Sequence, residues 1–431
     1  MAVFASIILL IPAALYVGGV IKDTFHPIFF FGTLSFFIAV YGIFTNGDYT
    51  ERFVSAADVN VYLLVTLLAF AGFLVGWAWA KRRERRAPEK VAVPRQYRPS
   101  LLFVWSLVFS AVGVSAALYT RNDFTITGYL RDFGTLWLVG ALLAIQSALL
   151  LPTLRVAAIF IVAVCLIPPI DRFLSYGQRG DTFRIAMLII PFFLFYGRRP
   201  PRSVFIPAAI LLALVLATLV QTRVLVNSGE ARNRVDALTK VIPSFFDGVN
   251  RKPPQGGEEY IFGTAMVSAA RQTGVYDNGV GFIYNTAVRF LPKEYFDKDP
   301  LYTRWAIVNY IPYVSWIAGY TIPGGAAPSG FAHAFVEFWW FAPLFWMLFG
   351  FVARRIYLRT LTGDLAQQGY FTAFFVFTLY LVAQDLYAFT MQLIYTLPAL
   401  WIAYRTARVT QPQEEQGADL PELALPEFAT V

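Results

Sequence analysis

The sequence predicts an all-α polytopic membrane protein, with about 11 transmembrane helices (10–12) and one large external loop. Of its 431 residues, 57% are apolar and only 14% are charged, whereas about one quarter of the residues of a soluble domain are charged. Aromatic residues make up 17% of the chain, which suits a protein whose outer surface faces lipid. Apolar runs long enough to cross a bilayer recur along the chain. This composition argues against a soluble globular enzyme.

The predicted spans follow these apolar runs in order. We expect membrane-crossing helices at 2–21, 26–45, 59–80, 100–119, 135–152, 156–172, 183–197, 203–222, 331–353, 370–388 and 390–404. The segment 303–320 is nearly long enough to cross as well. Its Pro312 and its tyrosines and tryptophans are more typical of a re-entrant or interfacial helix.

Short basic segments predict the orientation of the spans, because Lys and Arg collect in cytoplasmic loops. The strongest block is KRRERR at 81–86. Counting spans alternately from that block puts three further basic clusters on the same side: 197–202, 354–359 and 405–408. The N-terminus then lies outside, together with the segments 46–58, 120–134, 173–182 and 223–330.

Four regions follow from this topology. Residues 1–222 form an N-terminal membrane bundle of about eight spans, with a cytoplasmic basic loop at 81–99. Residues 223–330 form the large external loop, and 331–408 form a C-terminal bundle of about three spans. Residues 409–431 carry five acidic residues and no basic one, a composition typical of a disordered tail, here cytoplasmic.

Composition also excludes several kinds of chemistry. The net charge of +8 is concentrated in short basic blocks between apolar runs, so it indicates membrane orientation and not nucleic acid binding. Cys165 is the single cysteine, and His26 and His333 are the only histidines. We therefore expect no disulfide, no thiolate cluster and no multi-histidine metal site. The sequence contains no P-loop, dinucleotide fingerprint or Gly-x-Ser-x-Gly elbow, so no cofactor is predicted.

The predicted outer face is rich in arginine, which external loops normally avoid. Guanidinium groups bind phosphate and pyrophosphate bidentately, so we expect some of these residues to bind an anionic substrate. The alternative is that they form ion pairs with neighbouring aspartates or extend toward the membrane surface. The candidates for a pyrophosphate site are Arg179, Arg184, Arg271, Arg289 and Arg304.

The sharpest single element is SYGQRGDTFR at 175–184, between two predicted spans. Gly177 and Gly180 allow the backbone to approach a ligand closely, and Arg179 and Arg184 flank them. The alternative is a plain connecting turn.

A second element is PSGFAHAFVEFWWFAPLFW at 328–346, at the outer end of a predicted span. His333 and Glu337 are four residues apart, so both project from one helical face. The imidazole is a candidate general base that the carboxylate orients. The alternative is that His333 is a hydrogen-bonded structural residue and that Glu337 pairs with an arginine. Asp385, beside the predicted external connection 385–390, is a weaker candidate acid.

Two stretches resemble the bacterial oligosaccharide repeat-unit polymerases of the O-antigen type. They are NTAVRFLPKEYFDKDP at 285–300 and GYTIPGGAAPSGFAHAFVEFWWFAPLFWMLFG at 319–350. The matching residues are Phe290, Leu291, Pro292, Lys293, Lys298, Pro300, Pro323 and Ser329, and the Arg179–Gly180 pair is also similar to the family's. The sequence departs from the pattern at Ala342 and Pro343, where the family usually has glycines. The helix around His333 is also similar to that of the related O-antigen ligases.

The resemblance implies a metal-independent membrane glycosyltransferase of the bacterial inner membrane, active on the periplasmic side and with a cytoplasmic C-terminus. Its substrates would be undecaprenyl-diphosphate-linked oligosaccharides, and its partners a chain-length regulator and a flippase. Two alternatives stay open. One is a ligase or another lipid-linked-sugar glycosyltransferase, a class that uses acidic residues of the first external loop, here Asp48, Glu51 and Asp58. The other is a flippase or exporter of lipid-linked oligosaccharide.

Overall fold

The computed structural model describes residues 1–21, 23, 25–86, 95–119, 133–176, 258–288, 310–320 and 327–409, together with isolated residues between 185 and 240. This part of the chain is 85% helical and contains no strand. The predicted all-α membrane fold is therefore confirmed. The predicted spans 183–197 and 203–222 and the predicted tail lie outside the described residues.

The helices follow one another in this order: α1 Ala2–Val17, α2 Pro27–Ser35, α3 Tyr41–Thr50, α4 Ala56–Arg86, α5 Pro99–Tyr119, α6 Leu136–Leu150, α7 Arg155–Tyr176, α8 Glu258–Thr273, α9 Val280–Val288, α10 Tyr310–Ala318, α11 Gly330–Phe338, α12 Ala342–Thr360, α13 Leu365–Ala383 and α14 Leu386–Ala407. A π-helical turn at Phe36–Val40 joins α2 to α3. A 3-10 turn at Trp339–Phe341 joins α11 to α12.

Within the described ranges, seven helical stretches are long and apolar enough to cross a membrane, and α1 and α6 are shorter apolar helices. Each of the nine predicted spans that fall in these ranges overlaps one of these stretches or helices. The stretch Gly330–Thr360 counts as one of the seven, although the 3-10 turn interrupts it. Hydropathy alone predicted this region as a single span at 331–353.

The break between the last two helices lies at the start of the predicted connection 385–390. The structure breaks the helix at Gln384 and Asp385, so the predicted span 370–388 ends about five residues too late. Asp385 has extended backbone, and its side chain accepts a hydrogen bond from the Ala388 N–H as the N-cap of α14. The polar pair Gln384-Asp385 interrupts the apolar run at this point.

Helices α4 and α12 pack with their backbones in direct contact. A methyl group at Gly76 would overlap the carbonyl oxygen of Met347, and one at Gly350 would overlap that of Phe73. Small residues that allow backbones to approach are the usual basis of helix association in lipid. These two glycines therefore fix α12, and with it the preceding helix α11, against α4.

Helix α8 belongs to the interior of the bundle, although it lies within the predicted external loop. Every residue from Tyr260 to Ala270 is buried, and the helix packs against α4, α10 and α11. The sequence analysis identified no helix here, because the run is interrupted by Thr264 and Ser268 and is bounded by charged residues. Helix α10 lies within the predicted re-entrant segment 303–320 and has nine residues, which at about 1.5 Å per residue is too short to cross a bilayer.

The basic clusters meet at one end of the bundle. The Arg98 N–H donates to the carbonyl of Ala407 at 2.8 Å, and the guanidinium of Arg354 lies 5.2 Å from the centre of the Trp77 ring. At the same end, the Tyr97 hydroxyl donates to Asp364 Oδ1 at 3.1 Å. Burial and the nearby carboxylate raise the pKa of Tyr97, so this phenol remains a donor. The cluster at 197–202 lies outside the described residues.

The opposite end of α4 begins near Asp58, which pairs with Arg271 at the end of α8. Asp58 and Trp77 are separated by 19 residues of one helix, or roughly 28 Å. The basic clusters and the Asp58–Arg271 pair therefore mark the two ends of the bundle.

Candidate active site

Helix α11 carries the two candidate catalytic residues and is buried along almost its whole length, from Gly330 to Glu337. It begins at Ser329, whose hydroxyl accepts from the Ala332 N–H at 3.4 Å and lies 2.9 Å from the Tyr62 hydroxyl. Ser329 and Trp339, which flank the helix, have φ values of 66° and 50°. Residues other than glycine rarely adopt a positive φ, and such a backbone conformation persists only where the surrounding packing enforces it. The packing around α11 therefore holds both of its ends in place.

His333 and Glu337 face each other on the same side of α11, as their spacing predicts. Nε2 of His333 lies 3.5 Å from Oε1 of Glu337, and the side chains are 2% and 0% exposed. Charged and titratable groups this deeply buried in a membrane protein usually mark a functional site.

The other imidazole nitrogen is occupied by the backbone. Nδ1 of His333 accepts a hydrogen bond from the Leu386 N–H at 3.2 Å, at the start of α14. A nitrogen that accepts an N–H carries no proton, so the neutral ring holds its proton on Nε2. That proton faces Glu337. The break at Gln384 and Asp385 makes this contact possible, because it leaves the Leu386 N–H without a helical partner.

Three helices converge on the Glu337 carboxylate. Oε2 accepts from the Phe282 N–H of α9 at 3.0 Å, and Oε1 accepts from the Tyr387 hydroxyl of α14. The Tyr387 ring also lies edge-on to the His333 ring, with centroids 4.3 Å apart. The carboxylate thus contacts groups from α9, α11 and α14, and hydrogen bonds to both of its oxygens orient it.

A second carboxylate, Asp277, approaches the same place from the loop between α8 and α9. A methyl group at Gly281 would overlap Oδ2 of Asp277 and would lie 2.7 Å from Oε1 of Glu337. Both carboxylates therefore lie against one face of Gly281. The loop is anchored to α11, because the Asp277 N–H donates to the Val336 carbonyl at 3.0 Å and the Gly279 N–H donates to the Glu337 carbonyl at 2.6 Å.

Sequence analysis missed Asp277 and Tyr387, although a signal for Asp277 exists. The run Asp277-Asn278-Gly279 is typical of a tight turn with left-handed central residues. The structure has that turn: Asn278 and Gly279 have φ values of 52° and 79°, and the Val280 N–H donates to the Asp277 carbonyl at 3.0 Å. Tyr387 lies within the predicted connection 385–390, but no sequence pattern indicates that its hydroxyl reaches Glu337.

Arg271 forms an ion pair with an aspartate, which is the alternative to anion binding for the arginines of the predicted outer face. It pairs with Oδ1 of Asp58, whose other oxygen accepts from the Ser268 hydroxyl at 2.7 Å and the Ser55 hydroxyl at 2.9 Å. The Arg271 side chain is still 37% exposed. Asp58 is thus fixed in position, and it holds a partly exposed guanidinium at the end of the bundle opposite the basic clusters.

The remaining predicted anion-binding residues, Arg179, Arg184, Arg289 and Arg304, lie outside the described residues, as does the segment 177–184. Arg271 is connected to Asp277 by the short segment 272–276. The structure therefore brings together His333, Glu337 and Asp277, and Arg271 precedes Asp277 by six residues in the chain. In the described ranges, no three His, Cys, Asp or Glu side chains form a group that could hold a metal ion.

No family model matches the sequence, and neither the curated proteins nor the solved structures contain a match.

Proposed function

We propose that this protein is a polymerase that joins undecaprenyl-diphosphate-linked oligosaccharide repeat units into O-antigen, capsular or exopolysaccharide chains, at the periplasmic face of the bacterial inner membrane. The observation that carries the proposal is the buried group formed by His333, Glu337 and Tyr387 at the meeting point of α9, α11 and α14. The resemblance of residues 285–300 and 319–350 to repeat-unit polymerases supports the choice of substrate.

The reaction needs a base, because the acceptor hydroxyl becomes a good nucleophile only as its proton leaves. Glu337 is better suited to that role than His333. Nδ1 of His333 is occupied by the Leu386 N–H, and Nε2 carries the remaining proton of the neutral ring. Glu337 is a carboxylate acceptor, and two hydrogen-bond donors hold it in a fixed orientation.

In this account His333 positions the base. Its Nε2–H faces the same carboxylate oxygen to which the Tyr387 hydroxyl donates. Catalytic contacts that are long in the free enzyme commonly tighten when substrate binds, and the 3.5 Å separation of His333 and Glu337 fits that behaviour. Removal of the imidazole would leave Glu337 with one fewer donor and a less defined orientation.

The leaving group is undecaprenyl diphosphate, whose negative charge grows as the bond to the anomeric carbon breaks. Guanidinium groups stabilise such charge through bidentate hydrogen bonds. Arg271 is the described candidate, because it is partly exposed and a short loop connects it to Asp277. Arg179, Arg184, Arg289 and Arg304 are further candidates by sequence.

The acceptor must reach a carboxylate that is fully buried in the present conformation. The covering element is α9, whose Phe282 N–H donates to Glu337 and whose Ile283 side chain is 68% exposed. Helix α9 has only nine residues and packs mainly on α14 and α11. Displacement of its first turn would open the carboxylate to the sugar hydroxyl.

The same groups would serve an O-antigen ligase, in which the acceptor is a different lipid-linked molecule. Product analysis distinguishes the two activities. Purified protein in liposomes that contain only lipid-linked repeat units should yield a ladder of longer lipid-linked chains. A ligase yields no ladder, and it forms a single product only when its separate acceptor is added.

The cellular test is a deletion strain. Loss of the gene should cause single lipid-linked repeat units to accumulate, and the wild-type gene should restore long chains, whereas Glu337→Gln should not. Glu51→Gln is a matched control, because Glu51 is an exposed acid of the first external loop. A deletion strain with normal chain lengths would contradict the proposal. Failure of the control variant would favour the glycosyltransferase class that uses first-loop acids.

A further inference from the structure

We propose that Asp277 receives the proton that Glu337 takes from the acceptor hydroxyl, and passes it to solvent. This inference rests on the proposed function. It assigns a role to a residue that the base mechanism alone leaves unused. Asp277 does not contact the reacting atoms in this account, so it acts through Glu337.

Asp277 and Glu337 approach each other at Gly281. Oδ2 of Asp277 and Oε1 of Glu337 both lie against Gly281, where there is no room for a methyl group. Because the two oxygens lie 2.4 Å and 2.7 Å from the position of that methyl carbon, they are at most about 5.1 Å apart, a separation that a direct hydrogen bond or one bridging water can span for proton transfer. A side chain at residue 281 would separate them, so glycine is the residue that allows the approach.

Asp277 and Glu337 differ in their exposure to solvent. Glu337 is fully buried, whereas Asp277 is partly exposed at the surface of the turn. A buried base that has accepted a proton must release it before the next cycle. Because Asp277 lies next to Glu337 and is partly exposed, it can take the proton from the buried carboxylate and release it to water.

The other polar neighbours of Glu337 are less suited to receive this proton. The Phe282 N–H is a donor only. The Tyr387 hydroxyl already directs its proton at Oε1, and His333 has its proton on the nitrogen that faces Glu337. Among the described groups that face Glu337, Asp277 is a carboxylate and therefore accepts a proton when ionised.

The loop holds Asp277 in position for this transfer. Its N–H is bound to Val336 on α11, and Gly279 is bound to the carbonyl of Glu337 itself. Asp277 and Glu337 are thus fixed to one another through the backbone. If the first turn of α9 moves to admit the acceptor, these two bonds can keep Asp277 next to Glu337.

The complete step balances in atoms and charge. The acceptor oxygen forms a bond to the anomeric carbon, and the electron pair of the breaking carbon–oxygen bond leaves with undecaprenyl diphosphate. The hydroxyl proton goes to the Glu337 carboxylate, then to the Asp277 carboxylate, and then to water. Both carboxylates return to their starting state.

The test is chain extension by purified protein in liposomes, with variants of Asp277. Asp277→Asn should lower kcat roughly ten- to a hundredfold and leave KM for the lipid-linked substrate unchanged. Asp277→Ala should show the same loss, and added formate should restore part of the rate, because a small carboxylate can accept the proton. Formamide has a similar size and cannot accept a proton, so it should not restore the rate. Asn278→Gly should retain the wild-type rate, because glycine accepts the positive φ of that position.

A wild-type kcat in Asp277→Asn would overturn the inference, and so would equal restoration of Asp277→Ala by formate and formamide. If Asp277→Ala fails to accumulate in the membrane, the near-isosteric Asp277→Asn decides the matter through kcat alone. Failure of the proposed function looks different, because the wild-type protein itself would then extend no chains.

Discussion

The Leu386 N–H donates to Nδ1 of His333 at 3.2 Å, across the break between α13 and α14. This bond joins a helix end to the buried helix α11 and fixes which imidazole nitrogen faces Glu337. The break is therefore more than a connection between two spans. It supplies a free backbone donor for His333, and one residue later it supplies the Tyr387 hydroxyl for Glu337.

Arg271 provides a test of diphosphate recognition. Arg271→Ala should raise KM for the lipid-linked donor at least tenfold, because a guanidinium contact to a diphosphate is lost, and Arg271→Lys should recover only part of the affinity. The measurement is initial rate against donor concentration in liposomes. Asp58→Asn should weaken donor binding less, because the arginine keeps its charge and loses only its positioning partner. An unchanged KM in Arg271→Ala would reduce the Asp58–Arg271 pair to a structural contact.

The backbone contact between α4 and α12 predicts a stability effect. Gly76→Val should destabilise the protein by at least about 1–3 kcal/mol, the usual cost of overpacking, because its side chain meets the Met347 backbone. The thermal unfolding midpoint in detergent measures this effect. Ala71→Val, on the exposed side of the same helix, should unfold close to the wild-type temperature. Equal midpoints for the two variants would contradict the close packing.

Two substitutions at Ser329 distinguish the effect of its backbone strain from the effect of its hydrogen bonds. Ser329→Ala loses the cap of α11 and the contact with Tyr62 but keeps the unfavourable φ of 66°. Ser329→Gly loses the same contacts and removes the strain, which costs about 1–3 kcal/mol in a non-glycine residue. The glycine variant should therefore be the more stable of the two in chemical unfolding. If the alanine variant is equally stable, the strain at this position is small.

The orientation of the spans is testable with reporter fusions. Fusions after Arg86, Arg202 and Arg359 should report the cytoplasm, because basic loops remain on that side, and a fusion at Gly257 should report the periplasm. Alkaline phosphatase and green fluorescent protein give opposite signals in the two compartments. A cytoplasmic signal at Gly257 would contradict the periplasmic active face.

Hydropathy and charge predicted much of the fold, since they report how residues partition between lipid and water. The nine predicted spans in the described ranges overlap helices, and the basic clusters at 81–86, 354–359 and 405–408 lie at one end of the bundle, together with Arg98. The same measures did not predict α8, whose buried face includes Thr264 and Ser268, and they placed the break at Gln384 and Asp385 no more closely than the connection 385–390. The burial of α8 and the exact position of the break both depend on hydrogen bonds and tertiary packing, which hydropathy does not describe.

The sequence predicted only the part of the candidate site that lies within one helix. The spacing of His333 and Glu337 is enough to put them on one face, and the structure has them there. Asp277 and Tyr387 come from segments 50 or more residues away from Glu337 in the chain. Their approach depends on the tertiary packing of α9 and α14, for which the sequence pattern gives no distance.

The most direct test compares Glu337→Gln with His333→Asn in a chain-extension assay on purified protein in liposomes. Glutamine keeps the shape of the side chain but cannot serve as a base, so Glu337→Gln should lower the rate by roughly two to four orders of magnitude. His333→Asn removes only a positioning group and should cost about tenfold or less. Both variants should be present in the membrane at wild-type amounts and should bind the lipid-linked donor as tightly as the wild type. A Glu337→Gln protein that extends chains at the wild-type rate would contradict the account.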